Sequence, residues 1–256
     1  MNKILTYLRY FYDYLLHGDF RSILASVRYV LFGTSHKTDR IISTAAGTYF
    51  CRKNTNDFQL ANFYYEWGVR KYLLSHQKKF SVFIDGGACT GSYSLLFAAR
   101  GKRCIAFEPV SSNYNIINKN LELNKLEHEV VVFPYGLGAA NARAGFAFNP
   151  VNTGASHKIE NMTEADQFVE IRTLDSLMPE MAIGSDERIM IKLDVEGMEV
   201  EAIKGAADFI RHYPNITFVI EDKHSGESLI KDALNEIAGF DYGIVDEYNI
   251  YAKKTN

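Results

Sequence analysis

The sequence predicts an α/β fold built on a largely parallel sheet, and three observations carry that prediction. From Phe80 onward, short β-type apolar runs alternate with helix-length segments, the pattern of repeated βαβ units. The first of these runs opens directly into a glycine-rich turn, Asp85-Gly86-Gly87-Ala88-Cys89-Thr90-Gly91, at the head of a helix. The chain has 256 residues, 47% hydrophobic and 23% charged, which is enough to bury a core without disulfides or metal staples.

Taken in order, residues 2–16 and 20–32 have apolar residues at helical spacing and are broken at His17-Gly18-Asp19. Residues 40–53 alternate as a hairpin around Ala46-Gly47. Asp57 is placed to cap a helix running to about Leu74. Core strands follow at 81–84, 103–107, 130–133, 189–193 and 216–220, with helices near 91–100, 111–123, 197–211 and 226–238. Residues 242–245 and 248–251 read as a closing strand pair.

Composition excludes several classes. The formal net charge is -3, which disfavours a nucleic-acid binder. Charge is uneven: residues 1–40 hold six basic and three acidic side chains, the remainder 22 and 28. The basic, aromatic N-terminal segment predicts a helical cap, a homo-oligomer contact or a peripheral membrane contact through residues 1–40. Three widely spaced cysteines form neither a disulfide framework nor a zinc motif. They suit a reducing compartment, so a cytoplasmic location is expected, with the membrane surface as its variant. No apolar run reaches the roughly 18 residues of a membrane span, and the first residues do not read as a signal peptide.

The glycine-rich turn points to a nucleotide-type cofactor. Glycine lets the backbone approach a ligand, and the N–H groups at a helix start face it. Glu108, 23 residues after Asp85, stands at the end of the next strand, where an acid hydrogen-bonds a ribose. A dinucleotide needs G-x-G-x-x-G to seat its pyrophosphate. Here Gly86 and Gly87 are adjacent, Gly91 comes late and Asp85 precedes the turn. That disfavours a nicotinamide-dependent oxidoreductase and suits a cationic ligand such as S-adenosylmethionine.

FIDGGACTG, AFEP, PYGLG, NTGASH, RTLDSL and KLDVEGMEVEAIKGA, in this order from Phe83, resemble the FkbM family of S-adenosylmethionine-dependent methyltransferases. The resemblance runs from about Thr48 to Glu221 and takes in RKNTNDFQL. It implies a class I methyltransferase (Rossmann-like) fold: a mostly parallel seven-stranded sheet, helices on both faces and one antiparallel strand. It divides the chain into a helical extension with a hairpin, residues 1–77, and a methyltransferase domain, residues 78–256. It implies methylation of a hydroxyl on a saccharide, glycoconjugate or related natural product. A cofactor-binding or scaffolding protein without catalysis is the alternative. Carried over by position, Asp85, Gly87, Ala88 and Gly91 would shape the methionine side of the pocket, and Glu108 and Pro109 the ribose side. Asn113, Gly136 and Leu137 would approach the adenosine. Cys89 departs from the family, where Asn or another polar residue is more usual.

The chemistry needs alignment and a base. Ligands in open α/β sheets bind beyond the carboxyl ends of the strands, which directs attention to Lys192-Leu193-Asp194-Val195-Glu196 and to Glu221-Asp222-Lys223-His224. Asp194 is the leading catalytic candidate. His224 is a second possible base, since imidazole titrates near neutrality, and Glu196 a third. Lys192, Glu221, Asn152, Ser156 and His157 are candidates for holding a small-molecule or glycan acceptor. Asp194, Glu221 and Asp222 are also where catechol-type enzymes hold Mg²⁺ through oxygen ligands; the resemblance does not require a metal and none is assigned. The D/N-P-P-Y/F motif of nucleic-acid adenine methyltransferases is replaced here by Asp194-Val195-Glu196-Gly197.

Overall fold

A computed structural model describes residues 3–159 and 162–255. Two helices lead, α1 (Lys3–Leu16) and α2 (Phe20–Phe32), followed by a hairpin, β1 (Arg40–Thr44) and β2 (Gly47–Cys51). Asn2, the first residue of the predicted first helix, lies outside the described residues. Asp19 caps α2 by accepting from Ser22 N–H, and Gly33 ends it in the left-handed region. Two short helices, α3 (Asp57–Leu60) and α4 (Trp67–His76), lead to the first core strand.

The body alternates as expected: β3 (Val82–Gly86), α5 (Ser92–Ala98), β4 (Arg103–Phe107), α6 (Ser111–Asn124) and β5 (Val130–Phe133). An insertion follows: β6 (Gly136–Leu137), β7 (Ala142–Ala147), β8 (His157–Lys158), β9 (Gln167–Arg172) and α7 (Leu174–Met181). The chain closes with β10 (Ile189–Leu193), α8 (Glu199–Lys204), α9 (Ala207–His212), β11 (Ile216–Glu221), α10 (Glu227–Asn235), β12 (Phe240–Ile244) and β13 (Asn249–Lys254). The large sheet has seven strands in the order β12-β13-β11-β10-β3-β4-β5. β13 is antiparallel to both of its neighbours, and every other pairing is parallel. The order reverses between β3 and β10, and at such a switch point the loops beyond the carboxyl ends leave room for a ligand.

Three differences from the sequence expectation have local causes. The helix expected from Asp57 to about Leu74 breaks after Leu60. Asp57 is not its cap: Asn56 holds that position, and the Asp57 carboxylate is taken by Arg52. Glu66 then adopts φ +46, which no continuous right-handed helix can contain. The helix expected over 197–211 divides at Gly205, where a Cβ would lie 2.0 Å from the Gly138 carbonyl oxygen; the backbone of the insertion occupies that space. The four-stranded sheet β6-β9-β7-β8 was not expected, because its strands mix polar and apolar residues.

The N-terminal segments are packed into the body. Tyr14, Tyr49 and Phe58 belong to the same buried cluster as Phe83, Phe97 and Ile117. The outer edge of β2 is met by amides from α6: Asn120 accepts from Phe50 N–H at 2.8 Å, and Asn124 accepts from Thr48 N–H at 2.9 Å. Those contacts satisfy an edge that would otherwise expose unpaired donors.

Candidate active site

The β3 turn is held down from below. Asp85 is fully buried, and one carboxylate oxygen accepts from the N–H (3.2 Å) and hydroxyl (2.7 Å) of Ser94 in α5. Its other oxygen has no hydrogen-bond partner. Burial raises the Asp85 carboxyl above its ordinary range, opposed by the charge of Lys192. Gly87, at φ +82, meets the neighbouring strand end so closely that a Cβ would lie 1.9 Å from the Asp194 carbonyl oxygen. Cys89 also has positive φ, +52, a region Asn enters more readily than most residues. Its thiol is pushed well up by burial and by Glu108 and Asp57, so it is not an activated nucleophile.

On one side of this turn lies a cleft of about 500 Å³, counting its open mouth. Glu108, at the end of β4, accepts from Cys89 N–H (2.8 Å) and Val110 N–H (2.9 Å). Burial pushes its carboxyl up to about 7 despite those two bonds. Phe107, Tyr135, Leu137, Phe146 and Met198 supply an apolar lining, and the ionisable groups on the wall are Cys89, Glu108, Tyr135, Asp194 and Glu196. Among the described residues, no Lys or Arg lines it. A wall of carboxylates without a cation fits the amino group and sulfonium of S-adenosylmethionine and offers a pyrophosphate no counter-charge.

Of the predicted cofactor residues, Gly87, Glu108, Pro109, Asn113, Gly136 and Leu137 line this cleft. Asp85 and Gly91 do not. Asp85 sits beneath the turn, and Gly91 packs against Ile117 and Leu95. Ala88 faces the second cleft. Asn113 is fixed by a network: it accepts from Arg52 Nη2 (2.9 Å) and donates to the Thr153 carbonyl (3.0 Å). Arg52 forks onto Asp57, and Thr153 Oγ1 donates to Asp57 Oδ1 at 3.0 Å. Asn56 accepts from Thr153 N–H and donates to Asn152. The loop over the cleft is thus pinned by residues that precede the core strands.

A second, larger cleft opens on the other side of the turn. Gly87, Cys89, Gly154, Asp194 and Glu196 line both clefts. β10 ends at Leu193, so Asp194 and Glu196 stand on the following turn, with Glu196 at φ +52. Glu199 fixes that turn, accepting from Val195 N–H (3.0 Å), Gly197 N–H (3.2 Å) and the Ser225 hydroxyl. Lys192, 4% exposed, extends from β10 to Asp194 at 2.8 Å, with Glu66 at 4.0 Å. Burial opposes its charge, but Asp194 and Glu66 outweigh it and hold Lys192 well above the ordinary lysine range.

The carboxylates around this cation are crowded. Burial and Asp194 push Glu196 up to about 7, and burial, Asp194 and Glu196 push Glu221 up to about 8. His224 Nε2 lies 3.5 Å from Glu196 and 4.0 Å from Glu221. Asn152 and His157 line this cleft, whereas Ser156 faces the first. Glu66 and Tyr93 were not anticipated. The Tyr93 hydroxyl donates to Glu66 at 2.9 Å, and Lys192 Nζ stands 5.0 Å over the Tyr93 ring. The available signal was Glu66 itself, one acid inside the aromatic run Phe63-Tyr64-Tyr65-Glu66-Trp67. Among the described residues, no group of three or more His, Cys, Asp or Glu side chains is arranged to hold a metal ion.

Comparison with known proteins adds the following. The family profile described as "Methyltransferase FkbM domain" matches residues 85–243. Hexuronic acid methyltransferase AglP of Haloferax volcanii is 24% identical over 161 residues, 63% of this chain and 63% of that protein. The chain therefore matches less than two thirds of that relative's length. Methyltransferase 1 of Beauveria bassiana is 24% identical over 184 residues, 62% of this chain and 72% of that protein. The crystal structure of Methyltransferase FkbM from Methylobacillus flagellatus superposes with a TM-score of 0.48 at 19% identity, covering 68% of this chain and 44% of that one.

Proposed function

From the premise that this chain belongs to the FkbM methyltransferase family, we propose that it transfers a methyl group from S-adenosylmethionine to a hydroxyl of a saccharide or related polyhydroxylated acceptor. The observation that carries this reading is the pair of clefts meeting across the Gly87–Asp194 ridge, with Asp194 and Glu196 common to both. When bound, S-adenosylmethionine supplies an electrophilic methyl group and departs as S-adenosylhomocysteine. Glu108 would accept from the ribose hydroxyls with the lone pairs its two backbone bonds leave free. Asp194 and Glu196 would face the charged end of the cofactor.

The second cleft supports a saccharide acceptor. Asn149, Asn152, His157 and His224 offer hydrogen bonds, and the half-buried Tyr65 lines the same wall. The name of the Haloferax relative points the same way. Asp194, held beside Lys192, orients the acceptor hydroxyl. Glu196, poised near 7, takes its proton as the new oxygen–carbon bond forms. His224, half-exposed beside Glu196, passes that proton toward solvent. Alignment can contribute about 7–11 kcal/mol in favourable cases, and a positioned base about 10²–10⁴-fold.

Two experiments test this. Calorimetric titration should give heat with S-adenosylhomocysteine and none with NAD; silence with the former rejects the reading. On an acceptor found by screening saccharides for methyl uptake, Glu196→Gln should lower kcat by about 10²–10⁴-fold and leave S-adenosylhomocysteine affinity within a few-fold. An unchanged kcat removes Glu196 as the base.

A further inference from the structure

Among the described residues, large hydrophobic side chains are exposed chiefly on one element pair. Thirteen of the 20 such side chains lie between Leu5 and Phe32, all on α1 and α2. Leu24 and Leu31 are each 64% exposed. A groove between the helices is lined by Tyr7, Leu8, Phe11, Ile23, Val27 and Leu31. Soluble surfaces seldom carry an apolar patch of this extent without a partner. Each helix is already anchored to the body: Ala25 is buried, and Tyr14, which also borders the groove, is buried and donates to the Phe58 carbonyl.

The charges of the hairpin are sorted in the same way. Its acids, Asp13 and Asp19, are turned inward, 1% and 8% exposed. Asp13 accepts from Ala45 and Phe63 N–H, and Asp19 pairs with Arg40 and Ser22. Arg21 is exposed and Arg28 half-exposed, and neither forms an ion pair among the described residues. The outward face is therefore apolar and basic, with no acid on it.

We propose that α1 and α2 dock this protein on the surface of an anionic lipid bilayer, lying in the interface plane with the apolar face down. An interfacial helix of this kind sinks its apolar face about 5–10 Å into the headgroup–acyl boundary and gains from anionic lipids through its basic residues. Neither helix, at 14 and 13 residues, is long and apolar enough to cross a membrane. A second copy meets the apolar face but not the charge: a two-fold contact through this same face would oppose Arg21 and Arg28 with a surface that carries no acid. A bilayer with anionic headgroups satisfies both.

The test is co-sedimentation of the full chain with vesicles of phosphatidylcholine alone and of phosphatidylcholine mixed with phosphatidylglycerol. Binding to the mixed vesicles, weakened by raised salt, is expected. Arg21→Gln with Arg28→Gln should lower partitioning about 30-fold, from about 1 kcal/mol per basic residue at an anionic surface. Leu24→Glu with Leu31→Glu should abolish it. Unchanged thermal unfolding midpoints establish that both variants remain folded. The proposal is overturned by absent binding, by binding that neither variant weakens, or by a dimer in sedimentation velocity that Leu24→Glu with Leu31→Glu dissociates. None of these results bears on methyl transfer.

Discussion

Replacing Lys192 with Met tests whether this buried cation holds the carboxylates of the second cleft together. Lys192 is 4% exposed, and its ammonium stands 2.8 Å from Asp194 and 4.0 Å from Glu66. Glu196 and Glu221 also feel its charge. Methionine keeps an unbranched side chain, one atom shorter, and removes the ammonium charge together with its donors, including the one bonded to Asp194. Leaving a buried partner uncompensated costs about 3–5 kcal/mol, which lowers the unfolding midpoint of a chain of this size by about 6–20 °C. The penalty should depend on pH with a definite sign. Glu196 and Glu221 are raised to about 7 and about 8, so lowering the pH from 8.5 to 6 neutralises them and removes charges that Lys192 offsets. The gap between Lys192→Met and the parent should therefore narrow toward acid. Adding Asp194→Asn to the variant should recover part of the loss, because the strongest unpaired charge is removed with it. Differential scanning fluorimetry of the four proteins across that pH range gives the cycle. A penalty below about 1 kcal/mol at pH 8.5, the size of an exposed ion pair, would refute the assignment. So would a double variant less stable than the single.

Two further predictions concern the cofactor cleft. Gly87→Ala combines left-handed φ, about 1–2 kcal/mol for a residue with a Cβ, with overpacking of about 1–3 kcal/mol. Chemical denaturation should therefore show a loss of about 2–5 kcal/mol, and calorimetry a loss of S-adenosylhomocysteine binding; a fully stable, binding-competent variant contradicts the close approach to Asp194. On the proposed reading Glu108 accepts from the cofactor's ribose, more strongly as the carboxylate than as the neutral acid, and its carboxyl is raised to about 7. Affinity for S-adenosylhomocysteine should fall as the pH drops below about 7 and level off above it. Glu108→Gln should flatten that profile and weaken binding about 10–100-fold, the value of one or two bonds to a charged group.

Much of the sheet was legible because buried parallel strands read as continuous apolar runs; Val82–Gly86, Arg103–Phe107, Ile189–Leu193 and Ile216–Glu221 are of that kind. The insertion was not. Gln167–Arg172 shows alternating burial, and its polar members hid it among loop residues. The break at Glu66 was equally hidden, because it depends on partners distant in sequence, Tyr93 and Lys192. In the site, residues at strand ends could be placed by topology: Glu108, Asp194, Glu196 and Glu221 all fall where the sheet puts them. Arg52 and Thr153 could not be given a role from sequence, and Asp57 was given only a helix cap, a position that Asn56 holds. Their meaning lies in a mutual contact across about 100 positions, which no local pattern announces.

The clamp formed by Arg52, Asp57, Asn113 and Thr153 sets a limit on what can be exchanged between relatives. The matched profile begins at Asp85, yet the loop over the first cleft is tied to residues more than 25 positions earlier. A graft of 85–243 into a foreign leader would transplant the strand-end carboxylates and leave the roof untethered. Recombination that respects this molecule must cut ahead of Arg52, so the smallest heritable unit of its chemistry is longer than the stretch by which its kinship is recognised.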